Sequence, residues 1–216
     1  MIVFKNISKG YDTPIFENIS FSINSGECVA FTGESGCGKS TILNIIGLLE
    51  NYDSGEYLLM NKNVKSFKDK NKTAIMKNEI GYIFQNFALI DDETVLNNLK
   101  LSIPDRKKRK NCNEAIDKVL NEVGMLAFKQ KKIYTLSGGE QQRIAIARIL
   151  LKDCNIILAD EPTGSLDSKT RDEILELLMK LRNDHKTIII VTHDQYVANW
   201  CNRKYILKRW MIWKKF

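Results

Sequence analysis

Residues 33–41 read G-E-S-G-C-G-K-S-T, directly after the apolar run Cys28–Phe31 and at the start of the apolar stretch Thr41–Leu49. This string fits G-x-x-x-x-G-K-[ST] and restricts the possible folds more than any other feature of the chain. Such a loop turns successive backbone N–H groups onto phosphate oxygens, and a Cβ at its glycines would obstruct the backbone angles required. The helix that follows aims its positive end at the same phosphates. Gly33, Glu34, Ser35, Gly36, Cys37, Gly38 and Thr41 form the expected cradle. Lys39 is placed to hold the β- and γ-phosphates, and the Ser40 hydroxyl to ligate magnesium. Strand, phosphate loop and helix make one unit of an α/β layer.

The rest of the chain agrees with that unit. Ile19, Phe21 and Ile23 alternate with Ser20, Ser22 and Asn24, a half-buried strand, and Asn24-Ser25-Gly26 reads as a turn. From about Gln85 to Leu136 strand patterning fades and polar helical sequence such as Asn113–Val123 takes over, so a mostly helical insertion is expected. A helix over Gly139–Leu151, a strand at Ile156–Ala159, a helix with Ile174, Leu177, Leu178 and Leu181 on one face, and a strand at Thr187–Val191 follow. Strands alternating with helices argue for a largely parallel sheet. At 216 residues and 44% apolar content, one domain carrying an insertion is expected.

Composition excludes several classes. No apolar run approaches the roughly 18–20 residues of a membrane span, and M-I-V-F-K-N lacks the pattern of a signal peptide, so a cytosolic chain is expected, with any membrane part supplied by a partner. The five cysteines are scattered without a C-x-x-C pair, which points to reduced, buried thiols rather than disulfides or zinc. The net charge of +7 gathers in Arg106–Lys110 and Lys129–Lys132, outside the motifs, and reads as a solvated surface rather than a nucleic-acid site.

Ile156–Ala159 runs into Asp160 and Glu161, delivering two carboxylates to the edge of the sheet where α/β folds bind ligands. Asp160 suits a magnesium ligand, and Glu161 suits the group that orients or deprotonates an attacking water. A guanine-reading N-K-x-D string is missing, so adenine is favoured: ATP with Mg2+.

Residues 136–143 read L-S-G-G-E-Q-Q-R. Ser137, Gly138 and Gly139 offer a hydroxyl and backbone N–H groups at a helix N-terminus, a second anion site; the same residues, with Glu140, also spell a capping box. Together with the phosphate loop and the acidic pair, this string resembles the signature of ATP-binding cassette (ABC) ATPases, and the resemblance covers roughly residues 1–209. It implies that Tyr11 stacks on adenine, that Gln85 touches magnesium and the water, that Ser165-Leu166-Asp167 is the D-loop with Asp167 at the nucleotide, and that His193 lies near the γ-phosphate. Glu161, His193, Gln85 and Lys39 are then the expected catalytic set, with Ser40, Gln85 and Asp160 at the metal. His185 receives no role.

The resemblance further implies a P-loop core of ABC type with an N-terminal antiparallel β subdomain. Residues 1–84 and 137–209 would form the catalytic core, 85–136 the helical subdomain and 210–216 a tail. E-P-T-G-S-L-D and F-Q-N-F-A-L-I-D-D-E-T-V-L-N-N-L point to the exporter branch serving lipoprotein release, macrolide efflux and peptide or bacteriocin export. Two copies are expected to sandwich ATP, the signature of one closing over the phosphates of the other. Membrane permease subunits at the cytoplasmic membrane face would dock on an apolar patch of Phe87, Leu89, Val95 and Leu99. The alternative is a related ATPase that regulates a membrane protein without transport. Beyond Leu207 the family continues with an Asp-Gly turn and a strand, whereas this chain runs K-R-W-M-I-W-K-K-F. A final strand or packed tail is the preferred reading, with contact to an anionic membrane as the alternative.

Overall fold

The computed structural model describes residues 1–103, 111–164, 166–183, 185–208 and 211–215. The basic run Arg106–Lys110, Ser165 and, in the tail, Arg209, Trp210 and Phe216 lie outside these residues. Two sheets carry the architecture. An antiparallel sheet contains β1 (Ile2–Gly10), β2 (Pro14–Ile23), β4 (Ser54–Leu59) and β5 (Lys62–Asn63) in the order β2-β1-β4-β5. The second contains β3 (Cys28–Gly33), β6 (Ile80–Ile83), β7 (Ile156–Asp160), β8 (Thr187–Val191), β9 (Arg203–Lys208) and β10 (Met211–Lys215), in the order β10-β9-β3-β8-β7-β6. Its pairings are parallel except β10 with β9, where Met211 faces Lys208. The backbone of the tail thus continues the sheet as a strand.

Helices α1 (Lys39–Ile46), α2 (Asp69–Asn78), α3 (Val95–Ser102), α4 (Asn113–Glu122), α5 (Gly138–Lys152), α6 (Ser168–Asn183) and α7 (Gln195–Asn199) complete the fold. The parallel sheet is buried on both faces, which is why β3, β7 and β8 read as unbroken apolar runs instead of alternating. Val29, Phe31, Leu158, Ile189 and Val191 face α1 and the antiparallel sheet, packing with Phe4, Phe21, Ile42 and Tyr57. Ala30, Ile157, Ala159, Ile188 and Ile190 face the other core, which holds Leu120 of α4, Ile144 of α5 and Ile174 of α6. All five cysteines are free and buried, as expected.

Two expectations need correction. The helix after the phosphate loop covers Lys39–Ile46, not Thr41–Leu49. Gly47 caps it and Leu48 takes a left-handed φ of 60°, so the apolar run outlasts the helix. The apolar patch assigned to the insertion is also only partly at the surface. Val95 and Leu99, four residues apart on α3, are fully buried. Phe87 and Leu89 are half-buried, and the apolar residues of the insertion that do face outward include Ile90, 48% exposed, and Leu101.

Candidate functional site

Four adjacent parallel strands, β3, β8, β7 and β6, end on the same edge. Chain direction alone therefore gathers the loop after β3, His193 after β8, Asp160 and Glu161 at the end of β7, and Gln85 just beyond β6. They line one cleft of about 660 Å3 with Gly33–Gly36 and Gly38–Thr41.

Two glycines of the loop are dictated by contact. A Cβ on Gly33 would lie 2.3 Å from the Leu207 carbonyl oxygen, and one on Gly38, at φ 91°, would lie 2.5 Å from Ile15. Lys39 is buried, and its Nζ donates to the carbonyls of Gly33 (2.9 Å) and Glu34 (2.8 Å) inside the loop. Both of these hydrogen bonds are to neutral carbonyls, an arrangement that an entering phosphate improves. Cys37 turns the other way, into a hollow of about 730 Å3 between the loop and Ile206–Lys208, and burial pushes its thiol pKa up.

Burial raises the Asp160 pKa, while a hydrogen bond from Ser40 and the nearby Lys39 charge hold it down. A half-buried carboxylate beside a serine hydroxyl is an oxygen donor set that fits a hard divalent cation such as Mg2+. The sign of the shift has a consequence. With a folded pKa above the unfolded value, the native state holds the proton more tightly, so apo stability falls as pH rises through that interval and stays reduced at neutral pH. Asp160→Asn is therefore expected to raise the neutral-pH Tm of the apo protein by a few degrees and flatten its dependence on pH above 4, while removing magnesium-dependent turnover. Thermal unfolding across pH checks this.

Glu161 has a left-handed φ of 44°. Its carboxylate accepts hydrogen bonds from the Thr192 hydroxyl (2.9 Å) and the His193 backbone N–H (2.9 Å), and its Oε1 lies 2.7 Å from His193 Nδ1. The two partners differ in exposure: the Glu161 side chain is 12% exposed and the His193 ring 69%. A largely buried carboxylate at the cleft wall thus holds an exposed imidazole by one contact. Thr192 was not singled out in the sequence; its only signal was its place between the β8 run and His193.

The remaining expected residues do not reach this cleft. Tyr11 sits exposed at the β1–β2 turn, its hydroxyl donating to Glu50 and its ring under the Lys9 ammonium at 4.7 Å. The Glu50 bond holds its phenol pKa up. Ser137 caps α5 and the capping box is formed: the Ser137 hydroxyl oxygen accepts from the Glu140 N–H (3.4 Å), and the Ser137 N–H donates to Glu140 Oε2 (2.7 Å). A Cβ on Gly139 would meet Thr170 at 2.5 Å, whereas one on Gly138 would find its nearest neighbour, Phe87, at 3.8 Å. Among the described residues, packing does not require a glycine at Gly138. Asp167 caps α6 through the Thr170 hydroxyl and the N–H groups of Lys169 and Thr170, bonds that lower its pKa. One chain assembles the loop and the acidic pair but leaves Ser137–Gly139, expected as a second anion site, out of the cleft lining.

Comparison with known proteins agrees with this geometry. A family model described as ABC transporter matches residues 16–164. The chain is 39% identical over 214 residues to an uncharacterized ABC transporter ATP-binding protein, YvrO of Bacillus subtilis, covering 96% of this chain and 93% of that one. It is 38% identical to the macrolide export ATP-binding/permease protein MacB of Chlorobaculum tepidum over 96% of its own length, but spans only 33% of that protein. Among solved structures, the dimeric cassette MJ0796 superposes with a TM-score of 0.88 at 38% identity, covering 98% of this chain and 96% of the other. A dimeric post-hydrolysis state of MJ0796 with ADP and Pi gives 0.86 at 37%.

Proposed function

The chain belongs to the family of ABC transporter ATP-binding proteins, and from that premise we propose a residue-level reading in which two copies enclose each ATP between Lys39 of one and Ser137 of the other. The subunit binds and hydrolyses ATP and powers an exporter-type transporter through membrane permease partners. One observation carries the two-chain reading: Ser137–Gly139 lie outside the cleft of their own chain, while the similar MJ0796 cassette is dimeric. Each copy then supplies a phosphate loop to one site and a signature to the other, a two-fold arrangement with equivalent sites.

Within a site, the loop N–H groups and Lys39 offset phosphate charge, and Tyr11 stacks on adenine. Glu161, held by Thr192 and the His193 N–H, orients the attacking water and takes its proton. His193 turns its exposed ring towards the γ-phosphate, and Gln85 meets the water from the opposite wall. Ser40, Asp160 and Gln85 would hold Mg2+, which when bound neutralises charge on the β- and γ-phosphates. Signature N–H groups and Asp167 complete the site from the second copy. Loss of the γ-phosphate removes charge-assisted bonds across the interface and lets it open.

Among the described residues no helix is long and apolar enough to cross a membrane. The subunit takes a peripheral place on the cytoplasmic face through its permease partners. The exported compound is a peptide, bacteriocin, lipoprotein or drug; no nucleic-acid partner is expected. The helical insertion is the side that meets the permease, with Ile90 as the outward contact. Its backbone is fixed by the buried Asn98, whose side chain accepts from Ile90 N–H (2.8 Å) and donates to Ile90 O (3.1 Å). Ile90→Asp is expected to leave basal ATP hydrolysis within about twofold of wild type, since surface substitutions cost little, and to abolish permease-coupled transport. Leu99→Asp, by contrast, buries a charge and unfolds the chain. Co-purification with membrane permeases and vesicle transport test this; Ile90→Asp with undiminished transport rejects the docking role.

A further inference from the structure

Gln85 stands in a loop whose backbone is under strain. Phe87 and Ala88 both have left-handed φ values, 61° and 48°, a rare conformation for consecutive residues with side chains. Something must hold that turn. The structure puts one guanidinium there: Arg148, on the third turn of α5, donates to the carbonyls of Ala88 (2.6 Å), Phe87 (3.0 Å) and Tyr82 (3.4 Å). These acceptors flank Gln85 on both sides, one on β6 before it and two after it. Burial lowers the Arg148 pKa, and no ion pair involves Arg148 among the described residues. Its hydrogen bonds among the described residues all go to main-chain carbonyls, a fork that a lysine ammonium cannot reproduce. The N-terminus of the same helix also lies close to the loop, since a Cβ on Gly138 would find Phe87 at 3.8 Å.

We infer that Arg148 is a positioning residue for the reaction: it clamps the two shoulders of the Gln85 loop and ties the carboxamide's place in the cleft to the signature helix. The inference rests on the proposed role of Gln85 at the metal and the water. A guanidinium lost from this position frees the strained turn to relax, and Gln85 leaves its place while Lys39 and the phosphate loop keep theirs. The effect therefore falls on turnover and on the magnesium requirement, not on ATP affinity.

The test is a double-mutant cycle on the intact protein: wild type, Arg148→Lys, Gln85→Ala and the double variant. ATPase kcat, the magnesium concentration for half-maximal rate, ATP Kd and Tm are measured for each. Arg148→Lys is expected to lower kcat about tenfold and raise the magnesium requirement with ATP Kd unchanged. On the Gln85→Ala background it is expected to lower kcat no further. Arg148→Met serves as the stronger variant if it folds; Arg148→Lys keeps the charge and stem. If Gln85→Ala is impaired but Arg148→Lys is not, or if the two losses multiply in full, the clamp is wrong and the Gln85 reading stands. If Gln85→Ala turns over like wild type, the role of Gln85 fails and the clamp falls with it.

Discussion

Glu161→Gln is expected to bind ATP as tightly as wild type and to lose turnover by roughly 10³-fold, within the range a positioned general base contributes. The structure explains why the two effects separate. Glutamine is nearly isosteric, and its carbonyl oxygen can still accept from the Thr192 hydroxyl and the His193 N–H that hold the native carboxylate. The local fold is kept, including the left-handed backbone at this position. What is lost is an anion that can take a proton from water. With binding intact and hydrolysis stopped, the γ-phosphate stays and the two-copy complex accumulates. Single-turnover ATPase assays with sedimentation of the ATP-loaded protein read both effects together. A variant that hydrolyses ATP at the native rate removes Glu161 from the reaction.

Lys39→Ala is expected to do the reverse, removing binding first. Lys39 Nζ is the buried cation of the phosphate loop and rests on the Gly33 and Glu34 carbonyls. Two charge-assisted hydrogen bonds to phosphate, at about 1.5 kcal/mol each, amount to a loss of ATP affinity on the order of 10²-fold. The loop carbonyls are left to water, so the fold survives with a modest loss of stability. Equilibrium binding of a fluorescent ATP analogue, with circular dichroism as the control for folding, measures it. Native affinity in a folded Lys39→Ala protein contradicts the assignment. Taken with Glu161→Gln, the pair separates the proposed holding of the triphosphate by Lys39 from its proposed hydrolysis through Glu161.

Where local chemistry dictates residue type, the sequence was readable. The phosphate loop is legible because Gly33 and Gly38 leave no room for a Cβ, and the β7 and β8 runs because a doubly covered strand must be apolar throughout. Elements without such a constraint were silent. Helix α2 buries none of its side chains, so it shows no periodicity, and β6 is a four-residue strand with Gly81 inside it. The antiparallel sheet came mainly from family resemblance, since only β2 alternates clearly. Val95 and Leu99 were misjudged because an apolar pair at i, i+4 marks a helix face without saying whether core or partner covers it. Thr192 and Arg148 act through partners distant in sequence, Glu161 and the Phe87–Ala88 turn, and no local pattern announces such contacts.

The two-chain site is tested most directly by cross-linking between two differently tagged copies on a cysteine-free Glu161→Gln background, one carrying Ser35→Cys and the other Ser137→Cys. With ATP and a short bifunctional thiol reagent, a linked species bearing both tags is expected, and without nucleotide it should be missing. If ATP binds and no such species forms, or if a single copy carrying both cysteines closes on itself instead, the phosphate loop and the signature do not meet across a dimer.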